Sequence, residues 1–346
     1  MGDGVALARD YYRDVVRPLL DARWPGLRHA AARLGSGSDV LGLDDELSRD
    51  HDWGLRLTLL VADDATAGDV ARHLDAHLPE TYAGWPTRFA TTWDPVVRPR
   101  AEVATPGAFV TSRLGVDATT GLGTLDWLGL TGQSVLEVTA GPVFADTDGA
   151  LTRVREHLRW YPDQVWRYVV AADWARLSEE APLMSRAGHR GDDLGSRVIA
   201  ARLVDVATHL AFLLARRWPP YPKWLGTLLA ELPIAGHLAP ALSAVLAAGH
   251  WQERQDALAE ALAVLHRAQR DAGLPAPDGG PTERFFDRPY LAVRPEVAAG
   301  LLDGVTDPDL RRLPPGVGSV EQWVHNVAVL TAPDRRRRVA QIQSSG

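Results

Sequence analysis

The residues best suited to chemistry lie in the first sixth of the chain. One group is Gly35-Ser36-Gly37-Ser38, within the run Leu34 to Gly42; the other is Asp50-His51-Asp52, within Ser48 to Gly54. Eleven residues separate Ser38 from Asp50. A small, pliable Gly-Ser turn can offer backbone N–H groups to a phosphate. The acidic doublet opens an apolar run, Leu55 to Val61, that reads as a strand. Side chains alternate along a strand, so Asp50 and Asp52 are expected on one face. Carboxylates so placed repel each other unless a cation lies between them. Mg²⁺ suits the position, because it takes hard oxygen ligands and shares them with substrate phosphates.

This pattern of a Gly-Ser turn, a gap of about ten residues and Asp-x-Asp resembles the signature of the nucleotidyltransferase superfamily typified by DNA polymerase β and the kanamycin nucleotidyltransferases. Gly37-Ser38 through Gly42 match best, with Gly35-Ser36 as a second register. The wording Gly-Ser-Gly-Ser and Asp-His-Asp-Trp-Gly is similar to a bacterial branch of that superfamily. One residue departs from the pattern: the middle of the doublet is usually apolar and is His51 here, expected to face away from the metals. The resemblance implies a two-ion Mg²⁺ site, with Asp50 and Asp52 as ligands. It also implies a third carboxylate on a neighbouring strand. Glu102, in Ala101-Glu102-Val103, is the candidate; Glu137 competes with it, and Asp126 is weaker.

Composition sets outer limits. The 346 residues give room for two or three domains, and 46% of them are hydrophobic, enough for large cores. The absence of cysteine excludes disulfides, thiolate catalysis and Cys-based zinc sites. No apolar run approaches the roughly 20 residues that span a bilayer, and Met1-Gly2-Asp3-Gly4 does not begin a signal peptide, so a soluble, cytoplasmic chain is expected. A net charge of −7 argues against a broad nucleic-acid surface. Lys223 is the only lysine among 37 basic residues. That suggests a position where a compact ammonium serves and a guanidinium fork does not.

The elements that must position these residues follow from periodicity. Val5 to Arg23 reads as a helix that Pro18 kinks or divides. After the strand from Leu55 to Val61 comes an amphipathic helix, Ala65 to Leu78, capped from Asp63, Asp64 or Thr66. Thr87 to Trp93 and Val97 to Thr105 read as adjacent strands, and Leu125 to Leu130 and Val135 to Phe144 read as strands closing the domain near residue 150. Beyond it, Asp163 to Glu180, Leu194 to Arg217, Ala239 to Ala248 and Trp251 to Ala272 predict a helical bundle over 151–272. Residues 185–193 form a glycine-rich polar stretch that suggests a loop closing over substrate. Residues 273–281 read as a linker, and the remainder to 346, with a short helix near Val320 to Leu330, is expected to pack back on the bundle. The basic run Arg335 to Arg338 reads as a solvated tail.

The expected fold class is therefore α+β: an N-terminal mixed-sheet nucleotidyltransferase-like domain, 1–150, followed by a C-terminal helical bundle. The expected reaction moves a nucleoside monophosphate from an NTP, such as ATP, to an acceptor hydroxyl of a small molecule, with release of pyrophosphate. In the resemblance, Gly35-Ser36 or Gly37-Ser38 holds the β,γ-phosphates, and Lys223 matches a helical-domain lysine that offsets charge on the departing pyrophosphate. A general base is sought among Glu179, Glu180, Asp192 and Asp193. Two other classes stand beside this one: a non-catalytic nucleotide-binding or antitoxin-like partner, and a toxin-like enzyme acting on tRNA or protein through Arg186, Arg190 and Arg197.

Overall fold

The computed structural model describes residues 4–48, 52–314 and 316–344. Asp50, one half of the acidic doublet, lies outside them, as does His51. The chain falls into two compact units: Met1–Leu122 with Ser134–Arg159, and Gly123–Gln133 with Trp160–Gly346.

The first unit is mixed α/β. It opens with a helix over Gly4–Tyr11, a wide π-helical turn over Tyr12–Val16 and a second helix over Arg17–Arg23. The π turn is what Pro18 imposes. A proline in a tight α turn loses one hydrogen bond and drives its ring into the carbonyl four residues back. That residue is Asp14, which sits within the widened turn.

The sheet is built from β1 (His29–Ala32) and β2 (Leu57–Val61), which is followed by helix α1 (Asp64–His77), then β3 (Ala101–Ala104). Helix α2 (Pro106–Leu114), α3 (Gly132–Thr139) and β4 (Val143–Asp146) complete the set. The strand order is β3-β2-β1-β4. β1 is antiparallel to both β2 and β4, with Ala31 opposite Leu59, whereas β2 runs parallel to β3, with Thr58 opposite Glu102. Parallel neighbours need a crossover, and α1 lies within it. Asp63 starts α1 by accepting from Thr66 N at 2.8 Å, one of the three expected caps. β2 is buried along its whole length, which is why Leu57 to Val61 reads as a nearly unbroken apolar run. Leu57 and Leu59 pack with Tyr11, Val16 and Leu20 and with Val70 and Leu74 of α1. Each buried Leu or Val in this core contributes roughly 1.5–3 kcal/mol.

Three stretches of this unit and its border differ from expectation. The run Leu125 to Leu130 is a helix over Thr124–Leu128, and Val135 to Thr139 belongs to α3, with β4 beginning only at Val143. Val135 and Val138 are both fully buried, three residues apart, which is helical spacing. The run Val97 to Thr105 is divided. Its first part pairs with Arg88–Thr91 in a separate hairpin, and its second part is β3. The break falls at Pro99 and Arg100, where the Arg100 guanidinium folds back onto Asp94 at 2.7 Å.

The second unit is dominated by helices α4 (Asp163–His189), α5 (Asp193–Leu214) and α6 (Trp251–Asp271), with shorter ones at Leu225–Leu229 and Ala235–Ala247. The expected loop over 185–193 is mostly helix. α4 runs through His189, and only Arg190–Asp192 connect it to α5. Gly188 is there because α6 comes close: a Cβ would collide with the Trp251 side chain. Asp192 caps α5 by accepting from Gly195 N at 2.8 Å. Residues 273–281 lead into a two-stranded ribbon, Thr282–Arg284 with Leu291–Val293. The chain ends in the helix Pro333–Ser344. Arg336 on that helix is 1% exposed, so the basic run is not a wholly solvated tail. No helix among the described residues is long and apolar enough to cross a membrane.

Candidate functional site

The Gly-Ser turn leaves β1 at Arg33 and ends in a single 3₁₀ turn over Asp39–Leu41. Arg33 and Asp39 form a buried, two-pronged ion pair, Nε to Oδ2 at 2.7 Å and Nη2 to Oδ1 at 2.8 Å. Their side chains are 2% and 5% exposed. The pair closes the turn at its base. The Ser36 carbonyl points inward, accepting from Arg33 at 3.0 Å and from Arg56 at 2.7 Å. Gly37 sits at φ +140°, and a Cβ there would collide with the Asp39 carboxylate and the Arg33 guanidinium. Gly35 N donates to the carbonyl of Glu137 at 2.8 Å. By contrast, the N–H groups of Ser36, Gly37 and Ser38 meet no acceptor among the described residues. With its carbonyl drawn in and its N–H groups left over, the turn has the polarity of an anion cradle.

Arg56 adds positive charge beside it. Its guanidinium stacks over Trp93, 5.0 Å from the ring centroid, and bonds the Ser36 carbonyl. No carboxylate lies within ion-pair distance of it among the described residues. Burial, and next repulsion from Arg33, press its pKa down to about 9, which leaves it protonated at neutral pH.

The sequence-predicted carboxylates are placed as follows. Asp52 lies in a turn ahead of β2, not on the strand, which begins at Leu57. The alternation expected to align it with Asp50 therefore does not apply at Asp52. Its Oδ1 accepts from Thr92 N at 2.6 Å and its Oδ2 from the Thr92 hydroxyl. Glu102 is on β3, next to β2, as a third carboxylate needs to be. There it takes a hydrogen bond from Arg113 of α2 at 2.6 Å. Glu137, expected on a strand, is on α3, and its carboxylate approaches the same guanidinium at 3.5 Å. The two competitors thus share one arginine, and that arginine stands against Gly35. Asp126, on the Thr124–Leu128 helix, accepts from Gly123 N at the start of that helix. Among the described residues, no three His, Cys, Asp or Glu side chains gather to hold a metal ion.

Lys223 belongs to the second unit. It is exposed on a 3₁₀ turn, Pro222–Trp224, with its ammonium 4.6 Å from the Trp224 ring centroid. Three of the candidate general bases have structural duties. Glu180 pairs with Arg176 and Arg202, Asp192 caps α5, and Asp193 pairs with Arg197 and the fully buried Arg254. The sequence reading missed Arg33, Arg56 and Arg113. Arg33 abuts the turn, and Arg56 is the one charged residue in the run from Leu55 to Val61. A polar residue that interrupts a buried strand entry is the signal that could have found Arg56.

Residues 127–225 match a family described as a domain of unknown function, DUF4037. No curated protein matches the chain. Among solved structures, the chain is similar to a nucleotidyltransferase-like protein from Exiguobacterium sibiricum 255-15, at 15% identity over 77% of this chain and 76% of that one, with a TM-score of 0.35.

Proposed function

We propose that this protein transfers a nucleoside monophosphate from an NTP to an acceptor hydroxyl, releasing pyrophosphate. The observation that carries the reading is the Gly-Ser turn, where among the described residues the N–H groups of Ser36, Gly37 and Ser38 meet no acceptor and the Arg56 guanidinium beside them meets no carboxylate. The Asp-x-Asp sequence stands in the matching position downstream. In this reading the turn and Arg56 hold the triphosphate. The N–H groups donate to its oxygens, and Arg56 balances its charge. Lys223 offsets the charge that grows on the leaving pyrophosphate.

The residues present suit Mg²⁺. Asp52 presents two carboxylate oxygens, each accepting from Thr92, and an all-oxygen donor set is what Mg²⁺ takes. Asp50 and Asp52 would hold one ion, and Glu102 would help to seat a second. When bound, the metal would polarise the phosphates and lower the pKa of the attacking hydroxyl. Asp52→Ala is expected to reduce Mg²⁺-dependent pyrophosphate release by about 10²–10³-fold, the scale of one preorganised charge, with the melting curve little changed. Turnover comparable to wild type by either Asp50→Ala or Asp52→Ala would overturn the assignment.

A second reading, nucleotide binding without turnover, is favoured by one feature. Glu102 is bonded to Arg113, an arrangement that serves a structural ion pair as well as a metal ligand. A panel of NTPs with Mg²⁺ separates the two. Saturable binding with no pyrophosphate supports the second reading, and no binding of any NTP rejects both.

A further inference from the structure

The second unit contains a cavity of about 290 Å³ that the nucleotidyl reading does not use. One wall is polar and comes from three distant segments: Asp173 on α4, His209 on α5 and Glu321 near the C-terminus. The apolar part of the lining comes from Val206, Pro219, Pro220, Leu225 and Leu330.

The polar wall is built with care. Asp173 is 1% exposed and uses both oxygens. Oδ2 faces His209 Nδ1 at 2.7 Å, and Oδ1 accepts from Gln322 Nε2 at 2.7 Å. Gln322 is held in turn by the Val169 carbonyl at 2.7 Å and by Ser319 N at 2.8 Å. This chain fixes the imidazole ring and commits Nδ1–H to Asp173; between the Asp173 and Glu321 carboxylates the ring is the imidazolium, so Nε2 carries a proton as well. Nε2 is then aimed at Glu321 Oε1 but stops 3.5 Å away, and neither atom has a hydrogen-bond partner. Glu321 cannot swing closer without giving up the bond its Oε2 accepts from Gly132 N at 2.8 Å. A buried donor and a buried acceptor, each unmet, are costly and rare.

A hydroxyl answers both, accepting from Nε2–H and donating to Oε1. The surrounding charge limits what can bring it. Asp173, Glu321 and Asp205 face the cavity against His209, His325 and Arg176, and Arg176 is already engaged by Glu180 at 3.0 Å. The balance is negative, which repels phosphates and carboxylates and admits neutral or cationic molecules. The volume is at the low end for ligand pockets and fits a single ring with substituents.

We propose that this cavity is a binding site for a small hydroxylated molecule, neutral or cationic, whose hydroxyl seats between His209 Nε2 and Glu321 Oε1 while its carbon frame lies on the proline wall. The site belongs to the helical unit alone and stands whether or not the chain transfers nucleotides.

The test follows the His209 ring signals by NMR in the full-length, histidine-labelled protein, assigned by comparison with His209→Asn. The probes are cyclohexanol and 2-aminocyclohexanol. Methoxycyclohexane, of similar bulk with its oxygen capped, and inorganic phosphate serve as controls. Both alcohols are expected to shift the His209 signals saturably, the amino alcohol more tightly. Methoxycyclohexane should bind about tenfold or more weakly, the worth of one hydrogen bond to a charged group, and phosphate should do nothing. Glu321→Gln should weaken cyclohexanol by a similar factor. Leu225→Trp, which fills the apolar side without touching the polar pair, should abolish the shift while leaving the unliganded His209 signals in place. The proposal is overturned if neither alcohol moves His209, if methoxycyclohexane binds as well as cyclohexanol, or if Leu225→Trp binds like wild type.

Discussion

The Gly-Ser turn and the His209 cavity are both clusters of charge inside a unit of this chain, and they are completed in opposite ways. Around the turn, Asp39 and Glu102 are spoken for among the described residues. Arg33 grips Asp39 with two bonds, Arg113 holds Glu102 at 2.6 Å, and what remains over is positive: three backbone N–H groups and Arg56. Around the cavity, one bond closes at 2.7 Å and the next stops at 3.5 Å, and what remains over is a donor facing an acceptor in a negative surround. A surplus of positive donors suits an anion such as a triphosphate. A gap between opposite partners suits a group that can both give and take a hydrogen bond.

The comparison is broken most directly at the pair that closes the turn. Arg33→Met leaves the Asp39 carboxylate buried and uncompensated, which costs about 3–5 kcal/mol. Adding Asp39→Leu should recover most of that loss, because two apolar groups of similar volume fill the space without an orphan charge. Urea unfolding of the single and double variants measures both. If the double variant stays as weak as the single, the pair is doing something beyond closing the turn. Gly37→Ala follows, at about 2–3 kcal/mol, from a left-handed φ and a Cβ set against Asp39 and Arg33. The same variant should weaken NTP binding, since the turn cannot relax without moving its N–H groups.

The cavity answers to pH instead. Burial pulls the His209 pKa down, but Asp173 and then Glu321 outweigh it and raise it from 6.5 to about 10. The groups facing the ring are Asp173 on α4 and Glu321 near the C-terminus, with Arg176, Asp205 and His325 lining the same cavity. A pKa raised on folding gives stability that is complete below the unfolded value, near 6.5, and is lost as pH climbs toward 10. Stability should therefore fall between about pH 6.5 and pH 10, and His209→Gln should flatten that slope by one proton's worth. An unchanged slope in the variant would mean the imidazole is neutral in the folded protein. The gap to Glu321 would then not be a donor facing an acceptor.

The two sites also differ in how far they could be read in advance. Gly35 to Ser38 and Asp52 lie within one contiguous stretch, and short-range spacing exposes them. Asp173 and His209 are 36 residues apart, and Glu321 lies on a third segment. Each occupies one position on its own element, so no local pattern marks it; only the packing of α4 against α5 reveals the pair. Glu137 was misplaced for a related reason. A short apolar run such as Val135 to Val138 fits a strand or a buried helix turn equally well, and burial on one side of α3 decided it. The α+β class and the long helices were legible because their periodicity extends over many turns. The partners of Glu102 and Asp52 were not, because an arginine or threonine contact depends on the sheet register.

Lys223 belongs to the second unit and does not line the His209 cavity, and the smallest stability effect is expected there. The rarity of lysine in this chain suggested a residue under functional constraint, while the structure shows an exposed side chain over Trp224. An exposed cation over an indole is worth about 0.5–1 kcal/mol, so Lys223→Ala should lower stability by no more than that. Lys223→Arg should preserve it, because a guanidinium stacks on tryptophan at least as well. Pyrophosphate release separates the two roles. If the ammonium acts on the leaving group, both variants should lose turnover at saturating NTP while their melting temperatures stay near wild type. If the arginine variant keeps full turnover, the lone lysine reflects composition and the positive charge at the triphosphate comes from Arg56.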